Sequence, residues 1–500
     1  MVIMRNAALL WSVLAGCAGA AQSAGGRAMI EVQLALQSGE HIVDGSLPVT
    51  VTVRNTTSSL VRVHQTDARS PFVYQLVAVR DGGVRELSAT LFLQRTSPQP
   101  PPPVVPEMEA LRGLAEKRYE EDVAAYLTEP LPPGEYRLTV RYPLGGAVYS
   151  SKAETFAIVP PRVGAFAELS SLDRTRLASV FVHDDHGRAV VYQRESRFNN
   201  PALGIWYERD AAAPGHRIAG VAIASETDTA LEWRWIAWLE DEVFHAAIGW
   251  GRSREVAVKP ALTGLSAPRL VETGWQSQAG TGMFLVAGLE KGRAVLRLAT
   301  LPDRVEPKFQ TFSLAASMPR TLAAGWVGQG QRPRVLVTWA EPNGAGTRIL
   351  AKVVEPGGPD TAAVTLLERA DALAALSILP VTPDAPPVVH ALFGPGGGHR
   401  MTYVEIQATR GLAHREWEFS APDGLSKDAA WAIAAGTADP HSVLIKTGDK
   451  LLLGRAAAEP GWQPLSDAPG EPSLPRVVAL TEAWVTWVNS LKGVRYRLVP

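Results

Sequence analysis

At 500 residues the chain exceeds what one core supports, since single cores stop growing at roughly 250 to 300 residues, so two domains are expected. Its 49 basic and 50 acidic side chains leave a formal charge of -1. Such a balance offers no global field to gather nucleic-acid phosphates and argues against DNA or RNA as a partner. Hydrophobic residues at 46% and charged residues at 20% exclude a mainly disordered chain, and 44 Gly with 38 Pro indicate many turns.

The chain begins with one positive charge, Arg5, then an apolar run from Ala7 to Leu14 and the small residues Ala15 and Gly16 before Cys17, the sole cysteine. This is the pattern of a short export signal. One thiol can form neither an internal disulfide nor a multi-cysteine zinc site. Leu14-Ala15-Gly16-Cys17 resembles the lipobox of bacterial lipoproteins, over those four residues only. The resemblance implies that 1–17 is an export signal, that Cys17 carries lipid, and that more than one acyl chain anchors the protein to a membrane. The alternative is an ordinary cleaved signal, cut after Ala20 or Ala21. Residues 18–28 read as a linker of small residues. Ala18 after the cysteine lacks the aspartate that retains some enterobacterial lipoproteins at the inner membrane. By that resemblance the expected location is the outer membrane, facing the periplasm or the exterior.

Residues 29–160 show period-two alternation in short runs, as in Val49-Val51-Val53 and Tyr136-Leu138-Val140, which predicts half-buried antiparallel sheet. The run from Leu131 through Pro132-Pro133-Gly134 to Val140 looks like a late strand of an immunoglobulin-like or fibronectin-like sandwich. Within it, 98–127 reads as an insertion: a proline-rich stretch from Pro98 to Pro106, then an acidic segment from Glu107 to Leu127 with helical composition.

The pair Pro160-Pro161 closes this domain, and all tryptophans other than Trp11 lie between Trp206 and Trp487. Over 161–500 a weak repeat of strand, turn, strand, turn, strand recurs. Its clearest copies run from Arg334 to Trp339 and on into Arg348 to Val354, and from Ala483 to Val488 and on into Val494 to Val499. Aligning the ends of the middle strands gives Tyr192, Trp238, Ala287, Trp339, Phe393, Lys446 and Trp487, spaced by 46, 49, 52, 54, 53 and 41 residues. Leu322–Val327, Ala375–Leu379 and Trp431–Ala435 precede middle strands, and Phe309–Leu314 and Ala363–Leu367 follow hairpins. Four antiparallel strands in about 50 residues is the pattern of a propeller blade. The fold class expected is therefore all-β, an immunoglobulin-like sandwich followed by a seven-bladed β-propeller, with Phe166–Leu172 supplying the last blade's fourth strand. Six or eight blades, or a set of sandwiches, are the alternatives. The signatures of WD-repeats and sialidases are absent.

Chemistry-bearing motifs are sparse. His183-Asp184-Asp185-His186-Gly187 offers two imidazoles and two carboxylates, but adjacent residues of one turn rarely converge on a cation, and Asp and Gly are what a tight turn selects. No metal site is assigned. Trp233 and Trp235 share one strand face and Trp238 takes the other, a pattern of core packing. Trp206 and Tyr207, after Asn199-Asn200-Pro201, are the candidate ligand-binding aromatics. Gly394-Pro395-Gly396-Gly397-Gly398 joins two strands rather than leading into a helix, so it reads as a hairpin loop. No nucleophile elbow and no His-Glu-x-x-His motif occurs, and no cofactor or catalytic residue is assigned. The function expected is a lipid-anchored envelope protein whose propeller presents a binding or assembly platform to a protein or glycan partner. The alternative is a carbohydrate-active hydrolase or lyase, with carboxylates converging in the propeller funnel.

Overall fold

The structure, a computed structural model, describes residues 29–498 except 66–69, 97–106, 171–176, 186–187, 196–203, 227–233, 251–252, 259–261, 263, 278–279, 302–307, 328–332, 380–386, 395–399, 408–413, 424, 426–428, 435–441, 448–449, 456–460, 466–471, 480–482 and 490–492. The chain is all-β apart from one short α-helix and one 3-10 turn among the described residues. It divides into two compact units. Met1–Gln37, Pro48–Tyr126 and Tyr136–Thr155 make the first; Ser38–Leu47, Leu127–Glu135 and Phe156–Pro500 make the second.

In the first unit, Ile30–Leu36, Pro48–Asn55 and Glu116–Asp122 form one antiparallel sheet with Pro48–Asn55 in the middle. In the other sheet Val73–Ala78 pairs with Gly134–Leu144 on one side and Val84–Leu87 on the other, and Ala147–Ser150 folds back on Gly134–Leu144. The predicted alternation holds. Val49, Val51 and Val53 are fully buried, as are Leu138 and Val140. Burying one such aliphatic side chain contributes about 1.5–3 kcal/mol. Between them sit Phe72, Tyr119 and Tyr142, with the Phe72 ring 5.0 Å from Tyr119 and 5.3 Å from Tyr142.

The segment expected to be helical is strand instead. Met108–Leu111 pairs with Val61–His64, and Glu116–Asp122 pairs with Pro48–Asn55 from Pro48 to Arg54, with Val51 opposite Tyr119. Only Val123–Tyr126 turns, as 3-10. Tertiary pairing overrides the helical composition because the open edge of Pro48–Asn55 needs a ladder partner and Tyr119 fills the core. The α-helix lies upstream at Ala89–Thr96, where the Ser88 hydroxyl caps the Leu91 amide at 3.2 Å.

The second unit is a succession of antiparallel sheets. The first contains Val163–Ser170, Leu177–Asp185, Arg188–Glu195 and Tyr207–Ala211; three others have the same up-and-down order and begin at Leu322–Val327, Leu373–Leu379 and Ala430–Ala434. A last, three-stranded sheet begins at Pro472–Ala479. Between the first sheet and Leu322 lies a nine-stranded sheet: two runs, beginning at Ile218–Glu226 and Thr273–Gln276, joined by parallel pairing of those strands from Ile223↔Thr273 to Glu226↔Gln276. The first strands adjoin in chain order, and Pro472–Ala479 adjoins Val163–Ser170 again. This is a propeller-like arrangement, in which each sheet contributes its first strand to a shared ring.

Small residues let neighbouring sheets approach. A Cβ on Gly325, in Leu322–Val327, would lie 2.5 Å from Ile378 Cγ2 on the next first strand. Apolar layers fill the spaces between sheets, as where Val180, Val191, Val221, Ile223, Ile236 and Trp238 cluster.

Two sequence expectations are corrected here. Val163–Ser170 does not complete the last sheet: it pairs along Leu177–Asp185 and opens the first. Tyr192 consequently lies on a third strand, opposite Phe181, whereas Trp238, Ala287, Trp339, Phe393, Lys446 and Trp487 lie on second strands. The hairpin 177–195 reads like the others, and nothing local marks it as second-to-third.

Candidate functional site

The ring of first strands is where a propeller would place a central site. Its residues are small or apolar: Ile218-Ala219-Gly220-Val221-Ala222-Ile223-Ala224, Leu322-Ala323-Ala324-Gly325-Trp326 and Ala430-Trp431-Ala432-Ile433 are typical. Across all seven strands the charged residues are Glu168, Glu226 and Arg476. Glycoside cleavage needs two carboxyl groups about 5 to 9.5 Å apart, with a proton on one. These strands supply no such cluster beyond one acid each on two of them. Among the described residues, no group of three or more His, Cys, Asp or Glu is placed to hold a metal ion.

The residues singled out by sequence are mostly structural. Trp206, a candidate ligand-binding aromatic by sequence, is 1% exposed. Its ring packs with Ile42, Phe166 and Phe181, with Phe181 edge-on at 4.5 Å, and the Arg194 guanidinium lies 5.3 Å from it. Its backbone is held too: the Trp206 amide donates to the Asp44 carbonyl at 2.8 Å, and the Ser46 amide donates to the Trp206 carbonyl at 2.9 Å. The partner segment, Ser38–Leu47, is far upstream in sequence and also pairs in parallel with the end of Glu154–Val159. Gly45 is required there, because a Cβ would meet Ile42 at 2.8 Å. Tyr207, next in the chain, is half-buried at the start of a strand.

Trp235 and Trp238 are each 1% exposed and belong to different apolar layers, as their opposite faces require. Trp233 lies outside the described residues. His183 is buried, and its Nδ1 accepts the Arg162 amide at 2.9 Å; Asp184 is exposed, and His186 and Gly187 lie outside the described residues. So do 395–399 of the glycine-rich loop and the whole of 1–28, Cys17 included. Among the described residues no helix is long and apolar enough to cross a membrane.

Sequence reasoning missed a cleft of about 440 Å³ in the first unit, lined by His64, Met108 and the hairpin from Pro143 to Val148. Gly145 and Gly146, both with positive φ, make the tight turn that opens it. His64 forms its floor, only 9% exposed. The His64 amide donates to the Tyr142 hydroxyl at 3.1 Å, and Nδ1 lies 2.9 Å from the same oxygen. Tyr119 Oη donates to the His64 carbonyl at 2.6 Å, and Lys117 Nζ donates to it at 3.0 Å while pairing with Glu109. Burial, and after it the Lys117 charge, hold the His64 pKa below its ordinary value. A neutral imidazole beside an apolar wall suits an uncharged or apolar ligand. The Gly-Gly turn was the legible part; the partner of His64 is 78 residues away.

No protein-family model matches the chain, and no curated protein matches it. Solved structures show weak likenesses. A fungal lectin from Aleuria aurantia, a six-bladed β-propeller that recognises fucose, is 14% identical over 56% of this chain and 95% of its own, with a TM-score of 0.33. PorZ, a surface component of the type-IX secretion system of Porphyromonas gingivalis, is 10% identical over 95% of this chain and 82% of its own, at 0.22. The DNA glycosylase AlkC of Pseudomonas fluorescens is 13% identical at 0.18; the likeness covers 27% of this chain and 32% of the glycosylase. Such scores are too low to decide an architecture, and the propeller-like, all-β assignment rests on the strand order itself.

Proposed function

We propose that the chain is a lipid-anchored cell-envelope protein that binds or assembles rather than catalyses. Cys17 carries the lipid, 18–28 is the tether, 29–160 is an immunoglobulin-like sandwich, and 161–500 is a seven-bladed propeller presented to a protein or glycan partner. The observation that supports the binding reading is the composition of the described first strands, rich in Ala, Gly and aliphatic residues with Glu168, Glu226 and Arg476 the charged residues in their sequences. That wall favours a packed scaffold over a hydrolytic funnel, which is what disfavours the carbohydrate-active alternative. The blade count is supported by the closed succession of first strands, and the anchor by the lipobox resemblance.

Two measurements test it. Mass spectrometry of the mature protein from a bacterial host should find a diacylglyceryl Cys17 at the amino terminus; cleavage beyond Cys17 would sink the anchor. Incubation with envelope and extracellular polysaccharides should release no new reducing ends. Steady turnover, lost on Glu168→Gln or Glu226→Gln, would replace the binding reading with the hydrolase.

A further inference from the structure

Three large apolar side chains are exposed at one end of the first unit: Met29, Leu60 and Leu114, at 53%, 61% and 64%. Single exposed leucines are ordinary. These three are gathered by hydrogen bonds. The Thr56 amide donates to the Met29 carbonyl at 3.1 Å, and the Leu114 amide donates to the Thr57 carbonyl at 3.0 Å. Loops 56–60 and 112–115 therefore lie against each other, beside the point where the chain enters the unit.

Both loops are tied down by hydrogen bonds and close packing. Asn55, fully buried, directs its Nδ2 amide, with two hydrogens to share, at three carbonyls, Ser59 at 2.6 Å, Leu111 at 3.2 Å and Arg112 at 3.1 Å. Its Oδ1 accepts from the Thr57 amide at 3.0 Å and the Thr57 hydroxyl at 2.8 Å. Gly113 sits so close to Ser58 that a Cβ would lie 2.4 Å from the Ser58 carbonyl oxygen. Leu114 is held at φ 63, the left-handed region that a leucine avoids. A bulky apolar residue kept both strained and solvent-facing points to something that covers it.

Met29 is where the tether ends. A segment the length of 18–28 reaches at most about 40 Å when fully extended, and as a flexible coil spans about 18 Å. On the reading that Cys17 carries lipid, the end of the unit holding Met29 is thus kept near the bilayer. Arg62 and Arg112, both exposed, flank the leucines, and Arg54 there is paired with Glu116 at 3.9 Å. Cationic side chains beside apolar tips suit an anionic headgroup layer.

The geometry points to loops 56–60 and 112–115 as a second, protein-borne membrane contact, with Leu60, Leu114 and Met29 entering the headgroup boundary of the bilayer that holds the Cys17 lipid. This rests on the lipid-anchor reading. With Cys17 the only cysteine and its thiol occupied by lipid, Leu60→Cys and Leu114→Cys in the full chain each give one site for an environment-sensitive fluorophore. Arg80→Cys is the control: it follows Val73–Ala78, whose Tyr74 bonds Glu121 at the far end of Glu116–Asp122.

The lipidated variants are reconstituted into vesicles of phosphatidylcholine and phosphatidylglycerol with a brominated lipid as quencher, and Cys17 lipidation is checked by mass spectrometry on the same sample. The labels at 60 and 114 should shift to the blue and lose intensity to bromolipid, while the label at 80 does neither. Labels at 60 and 114 that stay aqueous on a chain whose Cys17 is lipidated overturn the loop contact and leave the anchor standing. A Cys17 found without lipid overturns the anchor, and the loop contact with it.

Discussion

Replacing Leu114 by glycine should stabilise the first unit, because it removes a backbone conformation that costs a bulky L-residue roughly 1–2 kcal/mol. Little is lost in exchange: the side chain is 64% exposed, and the amide bond to the Thr57 carbonyl needs no side chain. Glycine's greater freedom in the unfolded chain takes back part of the gain, which leaves a net of about 1 kcal/mol. Tryptophan fluorescence will not see it, since every tryptophan other than Trp11 lies between 206 and 487. Amide hydrogen exchange of peptides covering Pro48–Asn55 and Glu116–Asp122 is the suitable assay, and exchange through global opening of that unit should slow about fivefold. Leu114→Ala keeps the strain and should change little. Equal exchange in the glycine and alanine variants would show that Leu114 stores no strain, and would remove one support of the membrane contact.

Trp206→Ala should destabilise the second unit by about 3–5 kcal/mol and Trp206→Phe by clearly less, read as shifts in thermal unfolding; a neutral alanine variant would mean that the Ile42–Phe181 packing is absent in solution. Gly325→Ala should cost about 1–3 kcal/mol through overlap with Ile378, read by tryptophan fluorescence during urea unfolding. A wild-type midpoint would refute the close approach of adjacent first strands. His64 has a lowered pKa in the folded unit, so between its ordinary value of 6.5 and that lower value the unfolded chain binds more protons. Its contribution is intact above 6.5 and is lost as the pH falls through the folded pKa. Protection in Val61–His64, taken relative to the intrinsic exchange rate at each pH, should therefore fall below about pH 6.5, and His64→Gln should flatten that dependence. An unchanged pH profile in the glutamine variant would assign the effect to other groups.

What the sequence made legible follows from how local each signal is. Val49-Val51-Val53 and the Arg334–Asn343 hairpin announce themselves by alternation and turn chemistry, and both are where they were expected. Glu116–Asp122 does not, because Tyr119 is its one fully buried side chain and its charged neighbours suit a helix as well as a strand. The first sheet was misregistered for a similar reason: Val163–Ser170 pairs with the strand after it, but a closing strand at the same place would carry the same residues. The environment of Trp206 was beyond local reasoning altogether, since its partners Ile42, Asp44 and Gly45 lie far upstream in the chain. The His64 cleft depends on Tyr142 in the same way.

One consequence follows from how the ring of first strands is closed. Ile218–Glu226 and Thr273–Gln276 share a hydrogen-bonded ladder, whereas Pro472–Ala479 only adjoins Val163–Ser170, each strand being laddered within its own sheet. Among the described residues no strand from one chain end is laid into the sheet at the other. Among the described residues that ladder is the one junction between first strands carried by backbone hydrogen bonds, and the others hold by packing. Tension across the ring should part its packed junctions before it shears the laddered pair, so the two runs of the nine-stranded sheet should come away together.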